Sequence, residues 1–122
     1  MNGWIAVDLD GTLAEYHGWP ADGSIGAPIP EMVEQVKQWL AEGKDVRIFT
    51  ARVWPNGTAI QGAGFEREKQ ATEQAFRIQE WCRRHIGSPL PVTCVKDPFM
   101  VEQYDDRAFH VVPNTGRILR PE

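Results

Sequence analysis

Asp8-Leu9-Asp10-Gly11-Thr12 sets two carboxylates two residues apart, directly after the apolar run Trp4-Ile5-Ala6-Val7. In an extended chain, side chains two residues apart point the same way, so both acids can face one pocket. Paired carboxylates can do nucleophilic or acid–base work. A cluster of them calls for a hard cation with oxygen ligands. Polar groups stand at the ends of three later apolar segments: Thr50 after Ile48-Phe49, Lys96 after Pro91 to Val95, and Asp105-Asp106 after Gln103-Tyr104. Two acids closing a buried strand are costly without a cation or a donor. Singly, each position has an ordinary reading as a turn, a strand end or a solvated lysine. Four polar clusters that converge on one edge are hard to explain as solvated surface.

The elements that must position these groups follow from the apolar pattern. Residues 4–7 read as a buried strand, and residues 14–30 as a loop holding Gly18, Pro20, Gly23, Gly26, Pro28 and Pro30. Met32, Val33, Val36, Trp39 and Leu40 fall at helical spacing, with Pro30 before them and Gly43 as the stop. Asp45 to Thr50 is a second strand, and residues 53–64 form another loop. A long amphipathic helix runs from about Glu66 to Ile86, closed by Gly87. Pro91 to Val95 is a third strand, Gln103-Tyr104 a very short fourth, and Ala108 to Val112 a fifth. This alternation predicts a single Rossmann-like α/β domain over residues 1–122, with a mostly parallel sheet of about five strands and helices on both faces. In such sheets, ligands bind beyond the carboxyl ends of the strands, where the polar residues stand.

The chain has 122 residues, 42% of them hydrophobic and 25% charged, with a net charge of −4. That is one domain of ordinary globular composition, and the acidic balance argues against a broadly basic nucleic-acid binder. No apolar run reaches the roughly 18 residues needed to span a bilayer, and the start lacks a basic signal-peptide region, so no membrane association and a cytoplasmic location are expected. Cys82 and Cys94 lack metal-ligand spacing and read as small core hydrophobes. His17, His85 and His110 likewise show no ligand spacing. The stretch Gly57 to Gly64 lacks the Gly-Lys-Ser/Thr ending of a nucleotide loop.

Taken in order, these positions resemble the four motifs of the haloacid dehalogenase (HAD) superfamily of phosphohydrolases. Asp8-Leu9-Asp10-Gly11-Thr12-Leu13 is similar to the first motif and Ile48-Phe49-Thr50 to the second. Lys96 fits the third and Tyr104-Asp105-Asp106 the fourth. The resemblance implies that Asp8 attacks phosphorus to form an aspartyl-phosphate, and that Asp10 serves as general acid and then general base. It implies Mg2+ held by Asp8, the Asp10 carbonyl and the acidic pair. Asp106 is favoured there as direct ligand and Asp105 as its orienter, or the reverse. Lys96 would supply fixed positive charge, Thr50 a donor to phosphate, and Gly11 a sharp turn beside the phosphate. A carboxylate meeting a phosphate dianion needs such offset, since one like-charged pair at about 4 Å costs roughly 4 kcal/mol at an effective dielectric near 20.

Arg52 either contacts the substrate or pairs with a nearby acid, and Arg107 reads as the counter-ion of the acidic pair. Trp19 and Trp54 flank the proposed site, where they either stack on a ring or pack the loops down. Only 17 residues separate Thr12 from Pro30, and 13 separate Arg52 from Glu66. Neither insertion can fold as a cap, so loops 13–30 and 52–65 are expected to form the pocket rim of a capless or minimally capped member. An open site suits a large substrate or completion by a second subunit. The expected function is Mg-dependent hydrolysis of a phosphomonoester, with nucleotides or other small phosphate esters as substrate. The alternatives are a polynucleotide end phosphatase, a phosphotransferase, or a non-catalytic binding module on the same fold.

Overall fold

The computed structural model describes residues 2–55 and 64–121, the backbone alone for 64–68. The expected rim segment 52–65 is therefore only partly described, and 56–63, with most of the Gly57 to Gly64 stretch, lie outside the described residues. The elements are β1 (Trp4–Val7), α1 (Pro30–Ala41), β2 (Asp45–Phe49), a single 3-10 turn (Ala51–Val53), α2 (Gly64–His85), β3 (Val92–Thr93), β4 (Met100–Tyr104), β5 (His110–Val111) and β6 (Ile118–Leu119). Four strands make a parallel sheet in the order β3-β2-β1-β4. The fold is thus α/β around a parallel sheet, as expected, with four strands in it among the described residues.

The expected fifth strand lies elsewhere. His110 and Val111 pair antiparallel with Leu119 and Ile118 in a separate hairpin. Asn114 and Gly116 both take positive φ, at 64° and 74°, which turns the chain back on itself before it can reach the main sheet.

Helices on both faces is the second expectation the structure corrects. Ile5 and Val7 lie beside Val46 and Ile48 in register, and this one face carries the buried residues of both helices, Val36 and Trp39 of α1 and Ile78, Trp81 and Cys82 of α2. The steps β1 to β2 and β2 to β3 move the same way across the sheet, and right-handed crossovers in one direction put both helices on one side. The return from β3 to the far edge has only residues 94–99, too few for a helix. That link belongs with the other face, where Trp4 Nε1 donates to Asp97 Oδ1 at 2.8 Å and the Trp4 backbone N–H donates to Phe99 O at 2.9 Å. Arg47 lies over the same indole, 4.8 Å from its centroid.

Local signals set the helix ends. Pro30 opens α1, where a missing N–H costs nothing. Gly43, at φ 80°, closes it with two bonds, its own N–H to Leu40 O and that of Lys44 to Trp39 O. That is a Schellman ending, which favours glycine at its left-handed position. Cys82 is fully buried, and burial raises its thiol pKa to about 11; Cys94 is half-buried. Among the described residues, no helix is long and apolar enough to cross a membrane.

Ile48 sits fully buried at the centre of the single core. Ile48→Ala should destabilise the fold by about 2–5 kcal/mol, read as a lower urea midpoint with an unchanged slope. A loss below about 1 kcal/mol would show that the core does not rest on this face.

Candidate active site

Among the described strands of the sheet, β1 is the one whose two neighbours are reached by steps in opposite directions, so the crevice beyond its carboxyl end is a topological switch point. The β1–β4 pairing continues past the strands through Asp8 N–H to Tyr104 O at 2.9 Å, which brings Asp8 beside Asp105. After Asp8 the chain turns tightly. Leu9 O accepts from the N–H groups of Leu13 and Ala14, and Gly11 N–H donates to Ala14 O. Gly11 has φ 89°, and a Cβ there would lie 2.5 Å from Asp106 Oδ2. Glycine is required here because the Asp106 carboxylate occupies the space that a side chain would need. Its N–H is engaged by Ala14, so the residue's contribution is close approach to Asp106.

Thr12 fastens the two acidic segments together. Its hydroxyl oxygen accepts from Asp106 N–H at 2.9 Å, and its proton reaches Asp106 Oδ1 at 3.1 Å with Asp8 Oδ2 at 3.4 Å. Asp8, Asp105 and Asp106 each offer a carboxylate oxygen within 4.8 Å of the others, a donor set that could hold a metal ion. Three acids so close repel one another. Burial, the hydrogen bond with Asp106 and the charges of Asp105 and Asp106 raise the Asp8 pKa to about 7, against an opposing bond from Leu9 N–H. A hard cation with oxygen ligands suits this all-carboxylate set.

Asp10 stands apart from that cluster. Arg52 donates to it through both edges of one fork, Nε to Oδ2 and Nη2 to Oδ1, each at 2.8 Å. The Arg52 side chain is 2% exposed. Its remaining donors go to Gly23 O at 2.7 Å, Gln74 Oε1 at 3.0 Å and Ser24 O at 2.9 Å. All five N–H groups of the guanidinium therefore have protein acceptors. Trp19 stacks on the same guanidinium at 4.6 Å. Of the two sequence readings of Arg52, the pairing with an acid is the one found, and its donors are not turned to a substrate.

A cavity of about 260 Å³ opens between these groups, with Asp8, Asp10, Thr50 and Asp106 in its wall, closed at the side by Tyr16 and Trp19. Thr50 ends β2 with its N–H on Thr93 O, and its side-chain oxygen caps the 3-10 turn by accepting from Arg52 N–H at 3.1 Å. That leaves the Thr50 hydroxyl proton for the pocket. Loop 13–30 does form rim, through Tyr16 and Trp19. Trp54 is half-buried and does not line the cavity.

Lys96 differs from its expected place. It is exposed on the 94–99 link and is not in the cavity wall, because β3 ends at Thr93 and the chain has already turned away. Arg107 also differs: its backbone N–H donates to Asp105 Oδ1 at 2.8 Å, but its side chain forms no ion pair with the acidic pair and instead lines the cavity. Sequence reasoning passed over two residues, Thr12 and Tyr16. Thr12 lies inside the first motif, four residues after Asp8, and a hydroxyl there was the available signal.

No family model matches the chain, and no curated protein matches it. Among solved structures it is similar to a conserved protein coded by a locus from Bacteroides thetaiotaomicron, with 24% identity over 88% of this chain and 78% of that one, at a TM-score of 0.55. The likeness is one of fold. It supports the α/β architecture that carries the pocket.

Two outcomes follow from the site's electrostatics. Replacing Arg52 by Met leaves the Asp10 carboxylate without its partner and should destabilise the fold by about 3–5 kcal/mol in urea unfolding, with Arg52→Lys recovering only part because an ammonium lacks the fork. A cost under about 1 kcal/mol would mean that the pair does not organise the site. The second concerns pH. With its folded pKa raised above the unfolded 3.8, Asp8 contributes stability below that value and loses it as pH rises through about 7. In chelator, the unfolding midpoint should therefore fall between pH 5 and pH 8, and Asp8→Asn should flatten that fall. Equal slopes for the two proteins would contradict the crowding of Asp8.

Proposed function

We propose that the chain is a magnesium-dependent phosphomonoester hydrolase of the HAD type, acting through an aspartyl-phosphate. The observation that carries this reading is the separation of two neighbouring carboxylates into different environments at one strand end. Asp8 lies among acids that could hold a cation, while Asp10 is held by a buried guanidinium. Carboxylates set apart by their surroundings take different roles in one reaction.

In the first half-reaction an Asp8 carboxylate oxygen attacks phosphorus. The bond from phosphorus to the leaving oxygen breaks, and Asp10, which enters this step protonated and is returned to that form by the proton it takes in the second half, gives the leaving oxygen its proton. In the second half Asp10 takes a proton from water as its oxygen attacks phosphorus, and the bond to Asp8 breaks to release phosphate. Each carboxylate oxygen has about two lone-pair sites, so Asp10 can keep Arg52 and still turn an oxygen to the pocket. The Thr50 hydroxyl donates to a phosphate oxygen.

Asp8 and Asp106, which both line the cavity, are the direct ligands in this reading. Asp105, one oxygen of which accepts from Arg107 N–H, stands behind them. Bound there, magnesium would supply the positive charge that offsets the meeting of carboxylate and phosphate. Trp19 is 58% exposed in the cavity wall with its ring backed by Arg52. A fixed aromatic face of this kind favours esters whose leaving group carries a planar ring, as nucleotides do.

Phosphate release from a panel of nucleotides, sugar phosphates and phosphorylated oligonucleotides, with magnesium and then chelator, tests the reading. Release should stop in chelator, and Asp8→Asn should reduce it by at least about 10³-fold while the protein stays folded. Trp19→Ala should raise KM for nucleotides more than for glycerol phosphate. Normal turnover by Asp8→Asn would sink the mechanism, and a folded wild type inert on the whole panel would favour the binding-module alternative.

A further inference from the structure

Among the described residues, three basic side chains come into question for gripping the anion, and the structure separates them. Arg52 has every N–H donor on a protein acceptor, and its charge is matched by Asp10. Lys96 is exposed on the 94–99 link and is absent from the cavity wall. Arg107 lines the cavity, is exposed, and among the described residues its guanidinium has no hydrogen bond or ion pair.

The backbone that carries Arg107 is nevertheless well held. Its own N–H donates to Asp105 Oδ1 at 2.8 Å, Ala108 N–H donates to Asp105 O at 3.4 Å, and Asp106 N–H donates to Thr12 Oγ1 at 2.9 Å. The bonds that place the acidic cluster therefore also place the root of this side chain, while its planar fork stays uncommitted. A fork of that shape matches two oxygens of a phosphate at once, which a lysine ammonium does not.

Charge makes the same point. Among the described residues, the guanidiniums in the cavity wall with Asp8, Asp10 and Asp106 are those of Arg52 and Arg107, and the first is spent on Asp10. A phosphate dianion entering this pocket meets carboxylates on one side and needs a cation that is free to turn to it.

We propose that Arg107 is the residue that grips the substrate phosphate, taking the cationic role that the resemblance implies for Lys96. The assignment rests on the phosphomonoester reading of the site and extends it to a residue next to the acidic pair. Because the Arg107 side chain has no hydrogen-bond or ion-pair partner among the described residues, its removal leaves no acceptor stranded among them. Arg107→Ala should therefore unfold at the wild-type midpoint when no phosphate is present.

The test compares wild type with Arg107→Ala, Arg107→Lys and Lys96→Ala in magnesium. Binding of inorganic phosphate is measured by calorimetry, beside KM and kcat for one phosphomonoester. Arg107→Ala should weaken phosphate binding and raise KM by about tenfold to a hundredfold, the loss of one charge-assisted contact set. Arg107→Lys should restore part of it, and Lys96→Ala should change either quantity by less than about twofold. Wild-type phosphate affinity in Arg107→Ala, or the large loss appearing in Lys96→Ala instead, overturns the assignment and leaves the phosphatase reading standing. A wild type that neither binds phosphate nor hydrolyses any ester overturns both.

Discussion

The bidentate pair between Arg52 and Asp10 is the constraint on which the site depends. One guanidinium, buried to 2% exposure, links the exit of β1 through Asp10, the loop before α1 through Gly23 and Ser24, and α2 through Gln74. Its own backbone is capped by Thr50 at the exit of β2. A charge taken from water at that depth is tolerated only when its partner and all its donors are satisfied. This arrangement has one solution, so the elements that meet at Arg52 are held in one relative placement. Trp19 packs on the flat face of the same group, which fixes the wall of the cavity along with its floor.

The neighbouring acidic cluster obeys the opposite logic. Asp8, Asp105 and Asp106 are brought together although they repel, by the β1–β4 pairing and by Thr12, whose hydroxyl bonds both the backbone and the side chain of Asp106. Gly11 lets the turn lie against that carboxylate. Two residues of separation just past the end of β1 thus divide a carboxylate paired with a protein cation from one set among like charges. The sheet's switch point supplies the place, and the turn after β1 supplies the difference.

Much of this was legible in the sequence, and the illegible part has identifiable causes. Asp8, Thr50 and the Asp105-Asp106 pair follow strands directly, and the apolar runs before them suffice to gather them at one sheet edge, whereas Asp10 is brought there by the tight turn after Asp8 and not by strand alternation. α1 was readable from Pro30 to Gly43 because both ends carry their own punctuation. The partner of Arg52 could not be decided, because two of its five acceptors are backbone carbonyls and Gln74 lies in a helix twenty-two residues away. Lys96 was misplaced because β3 is two residues long and its pairing ends before the apolar pattern does. The side on which the helices pack follows from strand order, which no local pattern records. The hairpin of β5 and β6 mimics a fifth strand in composition and differs only in what it pairs with.

The Thr12–Asp106 bond spans 94 positions of the chain, while the Arg52–Asp10 pair spans 42. Closing the longer loop carries the greater ordering cost, and its reward arrives only with the contacts it brings. β1, made first, has its β2 side matched well before β4 has been synthesised. The half of the pocket built around a guanidinium can therefore assemble from the first eighty or so residues, whereas the mutually repelling carboxylates meet only when the last strand of the sheet docks. Cation affinity is in this sense a property of the finished sheet, and a divalent ion that favoured the cluster would act on the final closure of the domain more than on its early core.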